Sequence, residues 1–287
     1  MEFGKIKKSE EAIKESWSEF REKLAQEQYA LNDVDKAKEC IFLKVYDDIF
    51  NQNSGFDYKI TTIGELQEFS LGRGAILNET ELCDYERFIP KKEFINQDNR
   101  FSPSGIEWLY LAIGNESEIH QCAQAECRAN NGDRFGFCHF NFNNSQLNLK
   151  LVDLTISDNI SYDDLNIILE QNIKTEYKKR KKIAKMCGED LGAYWYEKNV
   201  KNLLKKWSVY TYAKLLSEQI FLPINDTDNR SIMYAPFQMM AQYYISLGYC
   251  GIIYGSTVSK VGRNIVLFDK SIAHPVGSIE NYMIEEN

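Results

Sequence analysis

The sequence predicts an α+β protein in which helical stretches bracket and interrupt a set of short strands. Three observations carry this expectation. Apolar residues recur at helical spacing through the first 50 residues, segments between 58 and 155 are short and bounded by turns, and helical periodicity returns over 161–222. At 287 residues the chain suits one large domain or one domain with a smaller unit attached.

Taken in order, Ile13, Trp17, Phe20 and Leu24 lie at i, i+4, i+7 and i+11, a single stripe, and Ser9 suits an N-cap before it. Asn32-Asp33 breaks this helix and Val34 to Phe50 reads as a second, so 1–56 is expected to be a helical hairpin, closed by the turn-rich NQNSGFD at 51–57. WLYLAI at 108–113 reads as a buried strand. SEIHQCAQAECRAN at 117–130 reads as a helix, with Ile119, Ala123 and Cys127 on one side. FGFCHFNF at 135–142 alternates with the strand period of two, and LNLKLVDL at 147–154 forms another strand. Ser161, followed by two Asp, marks a helix start and opens a helical insertion of about 160–222. PFQMMAQYYISLGY at 236–249 follows as a helix with Phe237, Met240, Tyr244 and Leu247 on one face. CGIIYGS at 250–256 is a strand and NIVLFD at 264–269 is read as the last one.

Composition narrows the function classes. With 34 Lys+Arg against 42 Asp+Glu the formal charge is −8, which argues against nucleic acid or an anionic membrane as the main partner. A basic stretch stands against this background. Residues 160–206 hold 11 Lys+Arg and 7 Asp+Glu, a net of +4 centred on KKRKK at 178–182, and the remainder therefore sums to −12. No apolar run nears the ~20 residues of a bilayer span, and the charged N-terminus lacks the apolar stretch of a signal peptide. Seven cysteines at scattered positions, without CxxC pairs, fit a reducing, cytoplasmic setting. His120, Cys122, Cys127, Cys138 and His139 cluster in sequence, but Cys138 and His139 are adjacent on a strand and point to opposite faces, so no metal site is expected.

Dinucleotide, phosphate-loop, nucleophile-elbow and HExxH motifs are missing, and Gly72-Arg73-Gly74 lacks a third glycine and a preceding apolar strand. A dispersed series remains: Arg73, Arg100-Phe-Ser-Pro-x-Gly, Leu109-Tyr110-Leu-Ala, Ala125-Glu126-Cys-Arg, Gly251-Ile-x-Tyr-x-Ser256 and Asn264-x-Val-Leu-Phe. In this order, over roughly 66–155 and 230–270, the series resembles the RES family of NAD-consuming toxins, named for an arginine, a glutamate and a serine. Residues 1–56 resemble a helical module found on some members. Three departures stand out. The family's Arg-x-Arg is here Arg73-Gly-Ala75, Ser102 replaces the usual Asn, and a longer gap after Tyr110 makes Glu118 a competitor of Glu126 for the glutamate.

The resemblance implies an ADP-ribosyltransferase-like split β-sheet core over 57–287 that binds NAD as substrate, with no further cofactor. It also implies cleavage of the nicotinamide–ribosyl bond, by hydrolysis or phosphorolysis. Transfer of ADP-ribose to a macromolecule, or a catalytically dead interaction module, are the alternatives. A helix-turn-helix antitoxin is the implied protein partner, and self-association as a homo-oligomer stays open. The residue types suit the chemistry. Bond cleavage leaves an oxocarbenium-like ribose that a carboxylate, Glu126, would stabilise. Such a pair at 4 Å is worth about 4 kcal/mol at an effective dielectric of 20, about three powers of ten in rate if confined to the transition state. Arg73 and Arg100 supply forked, permanent cations for the diphosphate. Tyr110 offers nicotinamide an aromatic face, and Ser256 can bond ribose or carboxamide and orient the glutamate.

Overall fold

The computed structural model describes residues 3–28, 30–51, 60–189, 193–220, 229–256, 258–259 and 261–285. Seven helices and eight strands follow one another in the described residues. Helix α1 (Phe3–Ala25) begins well before Ser9, whose hydroxyl donates to the Lys5 carbonyl inside the helix instead of capping it. The start is earlier because the apolar stripe extends back to Ile6, which is buried against the helical insertion. The expected second helix is two pieces, α2 (Val34–Ala37), capped by Asp33, and α3 (Ile41–Asn51). The end of the 1–56 unit and most of the 51–57 loop lie outside the described residues.

The strands are β1 (Ile60–Thr62), β2 (Ser70–Leu77), β3 (Leu109–Gly114), β4 (Arg134–Phe142), β5 (Lys150–Asp153), β6 (Gly251–Gly255), β7 (Arg263–Leu267) and β8 (Ala273–Met283). They form one mixed sheet in the order β1-β5-β6-β7-β3-β2-β4-β8, in which β5–β6 is the parallel pair. Three of these strands escape the sequence reading. Strand β2 contains Gly72 and Gly74, β8 contains Pro275 and Gly277, and β1 is three residues long. Thus β8, not 264–269, is the last strand. As an edge strand it tolerates proline, because one row of its backbone groups needs no partner in the sheet.

Helix α4 (Glu116–Glu126) follows β3 directly, started by a capping box between Asn115 and Glu118. Helices α5 (Tyr162–Cys187), capped by Ser161, and α6 (Ala193–Ile220) form the insertion. Helix α7 (Arg230–Ser246) follows an Asn229 cap and starts six residues before Pro236, so the proline sits inside the helix and not at its start.

One sheet face carries two separate helical layers. Trp17, Phe20, Phe42 and Tyr46 of the N-terminal helices share a core with Tyr212, Phe237 and Tyr244 of α6 and α7 and with Ile252 and Val266 of the sheet. Farther along that face α4 packs Ile119, Cys122 and Ala123 on Phe135 and Phe137. The opposite face buries Leu71, Leu111, Phe140 and Ile265 beneath Ile63, Leu66 and Phe88. A polar relay joins the N-terminal helices to the insertion. Trp207 Nε1 donates to Asn166 Oδ1 at 2.8 Å, and Asn166 Nδ2 donates to the buried Glu10 at 2.7 Å.

Candidate active site

Strands β2 and β3 pair only from Ser70–Gly72 to Ala112–Gly114. Beyond that point β2 continues against β4 and β3 against β7, so the sheet forks. A cleft of about 540 Å³ opens where the two strands part, roofed by α4 on one side and α7 on the other. Of the residues singled out in sequence, Arg73, Arg100, Tyr110 and Glu126 all line it.

Each has a physical reason to be there. Gly72 and Gly74 bracket Arg73 not as a phosphate turn but because β2 passes directly under two aromatic rings. A Cβ at Gly72 would lie 2.2 Å from Phe137 and one at Gly74 2.4 Å from Phe135. Arg73 donates from one guanidinium nitrogen to the Phe88 carbonyl at 2.8 Å, which anchors the side chain in the fork. Burial pushes its pKa down to about 10, still well above neutrality, so it remains a cation. The Arg100 guanidinium lies 5.3 Å from the Tyr234 ring centre and 5.8 Å from that of Phe237. Among the described residues it has no ion-pair partner, which leaves its donors available to a ligand. The Tyr110 hydroxyl is paired with the buried Ser102 at 2.9 Å, and burial raises its pKa, so the phenol is neutral. Ser102 therefore serves as the tyrosine's partner.

Glu126 is the last residue of α4 and is held by two donors. Ser256 donates to its Oε1 at 2.9 Å, and the Asn264 amide nitrogen donates to the same oxygen. The donors are themselves oriented. Ser256 Oγ accepts from the backbone N–H groups of Val258 and Ser259, at 3.3 and 2.9 Å, which turns its proton toward the carboxylate. The Cys122 thiol lies 3.4 Å from Asn264 Oδ1, which sets the amide with its nitrogen toward Glu126. Among the described residues no hydrogen-bond partner is found for Oε2 of Glu126, and the residue lines the cleft. Ser256 itself is 4% exposed and sits beneath the glutamate instead of lining the cleft. Glu118 has a different task. Its carboxylate accepts from the Asn115 backbone N–H at 3.0 Å in the capping box of α4.

Of the other lining residues, Asn264 and Arg128 stand in the sequence motifs without a role assigned to them, while Arg230 and Tyr234 lie outside those motifs. The role of Asn264 had one signal, since it is the one polar side chain opening the apolar strand NIVLF. Arg128 carries a positive φ of 52°, where glycine is usual after a helix, and this aims it at the rim. Arg230, hydrogen-bonded to Gln97 at 2.5 Å, and Tyr234 come from the first turns of α7. Four arginines thus face two carboxylates, Asp98 and Glu126, a local +2 inside a protein of −8. Burial raises the Cys122 thiol to about 12 and the Cys127 thiol to about 11, so neither is a thiolate nucleophile near pH 7.

His120 and His139 are partly exposed and share one carboxylate partner. His139 Nε2 lies 2.5 Å and His120 Nε2 3.4 Å from the same Glu116 oxygen. The strand-face reading of Cys138 and His139 holds, since they do point apart, but it left out the helix packed above the strand.

No protein-family model matches the chain, and no curated protein or solved structure is significantly similar to it. The site is therefore read from its geometry and chemistry. Among the described residues no helix is long and apolar enough to cross a membrane.

Proposed function

We propose that this chain cleaves the nicotinamide–ribosyl bond of NAD and acts as an NAD-degrading toxin in the cytoplasm. One observation supports the reading above the others: a carboxylate fixed by two side-chain donors faces a cleft that holds four arginines and a neutral tyrosine. This is the arrangement that a cationic ribose next to a diphosphate calls for. The forked sheet at the cleft is in keeping with an ADP-ribosyltransferase-like core.

In the proposed reaction the diphosphate pairs with Arg73 and Arg100, and the nicotinamide ring lies against Tyr110. The glycosidic C–N bond breaks with its electron pair going to nicotinamide, which leaves as a neutral base. Positive charge then grows on the ribose carbon and is stabilised by the open oxygen of Glu126. Water adds to that carbon and loses a proton, giving ADP-ribose, or phosphate adds in its place. Ser256 and Asn264 keep the carboxylate on station throughout, as positioning residues.

Purified protein incubated with NAD is expected to release free nicotinamide. Glu126→Gln, which keeps the shape and removes the charge, is expected to lower the rate by about three powers of ten. Equal rates in the two proteins, with and without phosphate, would overturn the reading. One observation favours transfer to a macromolecule as a second reading. Lys178, Lys179, Lys181 and Lys182 are exposed on α5, a surface suited to an acidic target. Labelled NAD with cell extract separates the two, because a labelled macromolecular band forms only with transfer.

A further inference from the structure

On the α4 side of the sheet, about 9 Å along the helix from Glu126 at 1.5 Å per residue, His120 meets residues from three elements. Its Nε2 lies 3.4 Å from Glu116 Oε1, one turn earlier on α4, and 3.5 Å from Glu280 Oε1 on β8. His139 Nε2, on β4, touches the same Glu116 oxygen at 2.5 Å. Donor atoms of Glu116, His120 and His139 all lie within 4.8 Å of one another. Ligands 2.0–2.1 Å from a tetrahedral zinc ion stand about 3.3–3.4 Å apart, so two of these spacings already suit an ion. The short His139–Glu116 contact would open by about 1 Å as the metal replaces the shared proton, within reach of an exposed carboxylate rotamer.

The surroundings hold the donors in place. The His120 ring stacks on Phe137 at 3.8 Å between centres, and His139 stands edge-on to the same ring at 5.0 Å. Phe137 is itself wedged over Gly72. The β4–β8 pairing slips between Phe137 and His139. His139 faces Val276, and an unbroken register would then set Ser278 opposite Phe137, but Glu280 is there instead. Gly277, at a φ of 70°, makes this bulge possible and brings a second carboxylate, Glu280, to His120.

We propose that Glu116, His120 and His139, with Glu280 as fourth ligand, form a site for a divalent transition-metal ion of the zinc type, which clamps α4 onto β4 and β8. Two imidazoles with carboxylates are the donor set that borderline ions such as Zn²⁺ and Co²⁺ favour over Mg²⁺ or Ca²⁺. The clamp would fix the helix whose far end carries Glu126.

The test uses chelator-treated full-length protein titrated with Zn²⁺ or Co²⁺ alone, followed by calorimetry, thermal melting and visible absorption of the cobalt form. Expected are one ion per chain, a raised melting temperature, and cobalt bands of a nitrogen–oxygen tetrahedral site. His120→Ala and His139→Ala should each weaken binding about tenfold or more, while His274→Ala should leave it unchanged. Glu116→Gln guards against misfolding, because that side chain is 59% exposed, and it should weaken binding equally. No uptake at micromolar ion, uptake that survives the two histidine variants, or thiolate-to-cobalt charge-transfer bands would each overturn the site. No arm uses NAD, so the result stands whether or not the nicotinamide-release reading does.

Discussion

Asn264 is the residue on which the glutamate's geometry turns, because it is buried, oriented by Cys122, and bonded to the same oxygen that Ser256 reaches. Hydrogen bonds to a charged group contribute about 1.5–3 kcal/mol, so Asn264→Ala is expected to lower kcat roughly 10- to 100-fold with a smaller change in KM. Ser256→Ala should behave alike, since both residues act through Glu126; a pure KM effect in steady-state kinetics would instead place Ser256 against substrate. Arg128 offers a sharper case. Its left-handed backbone costs an L-residue about 1–2 kcal/mol, against which glycine loses about 0.5–1 kcal/mol of unfolded-state entropy. Arg128→Gly is therefore expected to leave the protein as stable or up to about 1.5 kcal/mol more stable in denaturant titrations while weakening NAD binding.

At the scale of elements, the site depends on how closely β2 and α4 can approach. Gly72 and Gly74 leave room for Phe137 and Phe135, which in turn carry α4, so glycine on the strand sets the height of the helix bearing Glu126. Gly72→Ala is expected to cost about 1–3 kcal/mol in chemical denaturation by overpacking, and to lower activity further by displacing α4. A neutral result would mean that the Phe137 ring can swing aside without cost. The helices themselves are legible in the sequence because their stripes are local: Trp17, Phe20 and Leu24 are buried as their spacing predicts. Strands β2 and β8 are not, since glycine and proline depress strand propensity and only neighbours on the sheet compensate. The early start of α1 is a similar case, because Ile6 gains its burial from α5 and α6, over 150 residues away in the chain.

For the whole molecule, charge and shape pull in different directions. For the proposed dinucleotide substrate, a formal −8 would repel at long range, while the four arginines of the cleft would attract at short range. Salt screens both, but with a Debye length near 10 Å at 0.1 M it removes the long-range repulsion first and weakens the direct pairs only at higher concentration. KM for NAD is accordingly expected to change little between low and physiological salt and to rise above it. A KM that climbs steeply from the lowest salt onward would show that the arginines act as a long-range field. The N-terminal helices belong to this scale too. They supply Trp17, Phe42 and Tyr46 to the core that carries α7, and α7 supplies Arg230 and Tyr234 to the cleft.

What the sequence by itself determined is local: the α+β alternation, the helical stripes and the basic insertion, which are properties of side-chain type and spacing along a few turns of chain. The residues proposed for a diphosphate and a cationic sugar are scattered from Arg73 to Ser256 and are marked out by their resemblance to a family, not by local spacing. Only the tertiary structure decided which glutamate faces the cleft, since Glu118 and Glu126 are equivalent in composition and differ in what lies beside them. It also placed Ser256 and Asn264 beside the carboxylate, added Arg230, and gathered Glu116, His120 and His139 from a helix and a strand 19 residues apart between the two histidines. Register and helix packing bring these groups together, and neither is encoded in the spacing of one segment.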